Sequence, residues 1–173
     1  MTLGMSLQTF TLAHVIITLI AIASGLIVLL GMLGSHRMPA LTALFLLTTV
    51  LTSVTGFMFP INGFTPALGV GVISMVLLAI ALIALYGKRL IGAWRWIYVA
   101  TAAIALWFNV FVLIVQSFEK LSLLNPSAPQ AGPPFPEPVN TRFAVAQAAG
   151  LLVIAVLGII AAIKFRPPPK IPV

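Results

Sequence analysis

Few side chains in this chain could do chemistry: two histidines (His14, His36), two carboxylates (Glu119, Glu137), and the amides Asn109, Gln116 and Gln147 set in long apolar runs. His14 and His36 are 22 residues apart. On one helix that separates them by roughly 33 Å, at opposite ends. They cannot share a metal or a haem, which excludes a bis-histidine cytochrome. The spacing still allows a five-coordinate haem on His14 alone. Two carboxylates and two scattered histidines cannot build a ligand set, so no metal site and no cofactor is expected. With zero cysteines, disulfides, iron–sulfur clusters, thiolate zinc and thiol catalysis are excluded. No Ser/His/Asp or Ser/Lys arrangement, dinucleotide-binding glycine motif or P-loop is present. An enzymatic use would need His14 as base and Glu119 as acid to converge, and the expectation is a protein that is not an enzyme.

The elements that must position these groups are set by composition. The 173 residues are 61% hydrophobic and 6% charged, with a mean hydropathy of +1.21. A soluble core of this size cannot hide so much apolar surface, so lipid must cover it. The fold class expected is all-α, a polytopic transmembrane helical bundle forming one domain. Its five spans are read at 10–33, 40–59, 67–86, 96–118 and 142–163. The uncharged run from Met38 to Gly87 is fifty residues long, enough for two crossings of about 20 residues each. Pro60, Asn62, Gly63 and Pro66 break it, because a helix cannot continue through that combination. Residues 121–141 carry six prolines and are expected as a semi-rigid extended outer loop. The first apolar stretch lacks the positive lead and short core of a secretory signal, so it is read as an uncleaved span.

The net charge of +7 does not mark a nucleic-acid protein, since no basic face with interleaved aromatics is present. It follows the rule that short cytoplasmic loops collect Lys and Arg. With five crossings and the C-terminus inside, the inner loops hold Arg37, Lys88, Arg89, Arg95, Lys164, Arg166 and Lys170. The outer loops hold only Lys120 and Arg142. Seven against two predicts an N-out, C-in topology. No span carries an ionisable residue at mid-membrane and no inverted repeat is evident, which disfavours a proton-coupled transporter.

By depth along the helices, His14, Thr48, Thr52, Thr55, Asn109, Gln116 and Gln147 fall in the outward half, with Glu119 where span four emerges. Thr11, His14, Thr18, Ala21 and Gly25 recur at three and four on span one. Ala21/Gly25, Ala67/Gly71 and Ala146/Gly150 are small-residue pairs that let helices approach closely. These features are helix–helix seams first, with span four as the hub. The expected partners are the bilayer and either other membrane subunits or a second copy of the chain. The alternative is an outward-facing site for a quinone, a lipid or a polar solute, lined by His14, Thr52, Thr55, Asn109, Gln116 and Gln147 and gated by Glu119.

The runs HVIITLIAIASGLIVLLGM, TALFLLTTVLTSVTGFMFP, GAWRWIYV and FNVFVLIVQSF resemble those of a group of small, uncharacterised, mainly proteobacterial integral membrane proteins. The resemblance covers roughly residues 10–120. Beyond it, the segment around Phe135 and Gln147 is similar more loosely. It implies a multi-span fold in the bacterial cytoplasmic (inner) membrane and transfers no catalytic residues.

Overall fold

The computed structural model describes residues 4–60, 63, 66–128 and 132–166. It contains five long helices: α1 (Leu7–Leu33), α2 (Pro39–Phe57), α3 (Pro66–Leu82), α4 (Trp94–Lys120) and α5 (Val139–Lys164). A π-helical turn, Ile83–Gly87, extends α3. All five segments are long and apolar enough to cross a membrane. The protein is therefore a multi-pass α-helical membrane protein, and no strand occurs among its described residues.

Local chemistry explains where the helices start and stop. Ser6 caps α1 by accepting from the Thr9 amide at 3.1 Å, and Pro39 opens α2 where its missing N–H costs nothing. The break expected at 60–66 lies mostly outside the described residues. The helix α4 runs two residues beyond the expected span at each end. The start of α5 reaches into the segment read as loop, because Glu137 acts as its cap. One Glu137 carboxylate oxygen, Oε2, accepts from the Thr141 amide at 3.3 Å and from the Thr141 hydroxyl at 2.7 Å.

The helices form a ring in chain order. Each packs on its sequence neighbour and α5 returns to α1, while α4 sits inward and touches all four others. Small residues make the crossings close. A Cβ on Gly25 would lie 2.8 Å from both Leu106 of α4 and the Phe45 ring of α2. Ala21, one turn earlier, is fully buried. On the far side of α4, a Cβ on Gly158 would meet Ala103 at 3.1 Å. The core is built around Leu29, Phe45, Leu78, Tyr98, Val99 and Leu106. The periphery is apolar too: Leu12, Leu47, Val76, Leu152 and Ile159 are all exposed. Side chains of that kind belong in lipid rather than water.

Ring closure between α1 and α5 is polar. Beyond the end of α1, Ser35 donates to the carbonyl of Lys164 at 2.6 Å and accepts from the amide of Arg166 at 2.9 Å. Arg95 of α4 donates to the carbonyls of Ala162 (3.2 Å) and Phe165, which completes the C-terminus of α5. These contacts define a basic face. At the opposite, loop face, Phe118, Phe135 and Phe143 stack with centroids 5.1–6.0 Å apart.

Candidate functional site

The expected polar layer resolves into separate interhelical contacts arranged along α2. Thr49, Thr52 and Thr55 recur at intervals of three, so their hydroxyls climb one side of that helix toward the loop face. Deepest in the bundle, Asn109 of α4 donates its amide to the Thr49 hydroxyl at 3.2 Å, with Thr49 wholly buried and Asn109 5% exposed. One turn on, the hydroxyls of Thr18 and Thr52 lie 3.3 Å apart. Next, His14 Nδ1 meets the Thr55 hydroxyl at 2.7 Å. The imidazole packs edge-on against Phe59, centroids 5.2 Å apart. Thr48, by contrast, bonds carbonyls of its own helix, Leu44 and Phe45.

The remaining expected residues lie on the α4–α5 side. Gln147 of α5 donates to the carbonyl of Phe111 at 3.2 Å, while its Oε1 is buried with no donor among the described residues. Gln116 donates to the Glu119 carboxylate at 3.0 Å, within α4. Glu119 also faces the loop backbone: a Cβ on Gly132, whose φ is +116°, would come within 2.9 Å of its Oε1. No hydrogen bond among the described residues joins the His14–Thr55 pair to Gln116 or Gln147. His14, Asn109 and Gln147 are thus shared out among three helix seams, α1–α2, α2–α4 and α4–α5, while Gln116 bonds within α4.

Above this layer the Pro-rich segment is ordered differently from an extended strap. Leu121 accepts from the amides of Leu124 and Asn125, each at 3.0 Å, which makes a tight turn. Asn125 is fully buried. Its side chain donates to the Phe118 carbonyl at 3.1 Å and accepts from the Ser127 amide at 3.0 Å. Phe135 and Val139 then seal the segment onto Phe118. Polar residues win over proline stiffness here because a buried amide satisfies several backbone groups at once. At the end of the loop, the Thr141 hydroxyl holds the Glu137 carboxyl below the usual carboxylate range.

The arrangement can order helices, and it encloses little. The cavity between α1, α2 and α4 measures about 10 Å³ and is lined by apolar residues such as Gly25, Leu29, Phe45 and Leu106. That is space for at most one water, with no polar wall to hold it. No group of three or more metal-ligating side chains comes together among the described residues.

Three contributors were not legible as such in the chain. Thr49 is masked by its neighbour Thr48, although the spacing 49, 52, 55 marks it. Arg95 reads as one more interfacial cation, and its role as a cap depends on where α5 ends. Asn125 sits in a loop, and only the fold buries it.

The fold and this set of seams define the protein as a five-helix polytopic membrane bundle. Compared with protein-family models, curated proteins and solved structures, the chain matches none.

Proposed function

We propose that this protein is a non-enzymatic accessory or structural component of the bacterial cytoplasmic membrane, oriented N-out and C-in. It would work as a small subunit of a larger membrane complex or as a homo-oligomer. One observation carries the reading: His14, Asn109 and Gln147 each bond to a neighbouring helix, while Thr48 bonds its own backbone and Gln116 bonds Glu119 within α4. The cavity between α1, α2 and α4 is lined by none of them; it is apolar and about 10 Å³. The distribution of Lys and Arg, seven against two, supports the orientation. The resemblance to small proteobacterial membrane proteins supports the compartment. Blue-native electrophoresis in mild detergent is expected to show a species larger than the monomer, and a free monomer alone would defeat the proposal. A reporter fused after Val173 is expected on the cytoplasmic side, and an extracytoplasmic signal would reverse the orientation.

A second reading rests on the Gln147 Oε1 left without a donor. Lying on the α4–α5 seam beneath the Phe135 cap, it suits a neutral or amphipathic ligand with a hydroxyl, such as a quinol, a lipid or a polar solute. Mass spectrometry of the gently purified protein tests it: a co-purifying small molecule lost in Gln147→Leu supports it, and unchanged spectra dismiss it.

A further inference from the structure

Among the described residues, the basic face carries no carboxylate side chain to offset its cations. The chain's two carboxylates, Glu119 and Glu137, lie at the end of α4 and the start of α5. Both belong to the loop face, a helix length away from the cations of the other end. Among those cations, Arg95 is engaged by the carbonyls that end α5. Arg37 is not. Its Nε is sealed from solvent and has no acceptor among the described residues. The side chain as a whole is partly exposed, and through that exposed part the partner that guanidinium geometry fits best is a planar carboxylate or a phosphate.

The fold also gathers other cations beside it. Through Ser35, the turn between α1 and α2 is tied to the backbone of Lys164 and Arg166. Arg37 lies two residues from one side of that tie, and Lys164 and Arg166 supply the other. Lys164 and Arg166 are both exposed. The last turns of the same two helices present exposed apolar side chains: Ile27 and Leu30 on α1, Ile159 and Ile163 on α5. Cations at the ends of two touching helices, with exposed apolar side chains in the last turns of both, match a molecule with an anionic head and acyl chains.

We propose that the α1–α2 turn and the end of α5 hold the phosphate of an anionic phospholipid, with Arg37 and Arg166 as its principal donors. The acyl chains lie along the α1–α5 seam. This site is at the opposite end of the bundle from Gln147 and does not depend on the proposed accessory role.

The test uses the purified full-length protein in neutral detergent, titrated separately with phosphatidylglycerol and phosphatidylcholine. Bound lipid is counted by native mass spectrometry. Phosphatidylglycerol is expected to bind more tightly than phosphatidylcholine. Arg37→Gln should weaken its binding about fivefold, the effect typical of one basic residue at an anionic surface. Arg166→Gln should do likewise, and it reads the site independently if Arg37→Gln does not fold. Lys120→Gln, at the loop face, should leave binding unchanged. Equal affinity for the two lipids would overturn the proposal, as would equal losses in all three variants. Displacement of the lipid by millimolar inorganic phosphate would also overturn it, because the site would then be one for a free anion.

Discussion

At the scale of single residues, the Asn109–Thr49 contact is asymmetric. The Thr49 hydroxyl also donates to the Phe45 carbonyl at 2.8 Å, so it stays satisfied when Asn109 is removed. Asn109→Leu takes a polar group out of an apolar seam, and its effect on stability is expected to stay within about 1 kcal/mol, the usual range for interhelical bonds in membranes. Thr49→Val is worse, because the buried amide loses its acceptor, a loss of about 1–3 kcal/mol. Unfolding of the two variants in mixed micelles should rank them in that order; equal costs would mean that the amide finds another acceptor.

Glu137 makes the complementary prediction for pH. Its carboxyl lies below the usual range because the Thr141 hydroxyl bonds its charged form. A group with a depressed folded pKa stabilises the fold above its unfolded pKa, and the contribution disappears as pH falls through the folded value. Amide hydrogen exchange in residues 139–142 should therefore accelerate below about pH 4, relative to neighbouring turns. Glu137→Gln should remove that pH dependence. The carboxylate is fully exposed, so the effect belongs to the first turn of α5 and leaves the bundle intact.

At the scale of elements, α5 is the helix most dependent on its ends. Among the described elements it packs on α4 and α1, and much of its length, including Val145, Leu152 and Ile159, faces outward. Its C-terminal carbonyls are satisfied by Arg95 of α4 and by Ser35 of the turn between α1 and α2. Arg95→Met leaves the Ala162 and Phe165 carbonyls without that donor, at a cost of about 1–3 kcal/mol. Hydrogen exchange should rise at 161–166 and stay unchanged in α2. A uniform increase across all helices would instead make Arg95 a global support. The loop after α4 shows the same logic, since Asn125 and Phe135 hold it down from inside the fold.

At the scale of the molecule, the bundle is a ring with α4 drawn toward its centre, and the contact of α1 with α5 closes it. Because the chain has zero cysteines, closure can be tested without background. Ser35→Cys combined with Arg166→Cys should cross-link on mild oxidation. Ser35→Cys combined with Lys120→Cys, at the opposite face, should not. A cross-link in the second pair alone would contradict the ring.

The chain by itself determined the number of helices, their approximate ends and the polar identity of their seams. Bilayer length and the cost of an unpaired backbone leave an apolar chain few options, and small residues at three and four mark close approach. The inward position of α4 was also legible, since Asn109 and Gln116 within one span demand partners. The pairing of those partners belonged to the tertiary structure alone. Asn109 chose Thr49 over its neighbour Thr48, and His14 met Thr55. Gln116 turned back to Glu119, so the amides did not converge on one pocket. Periodicity reports which face of a helix is polar, but rotation and relative height decide which hydroxyl stands opposite an amide. The same holds for Arg95 and Arg37, two like charges in sequence. The end of α5 gives Arg95 its carbonyls, while the Nε of Arg37 meets no acceptor among the described residues.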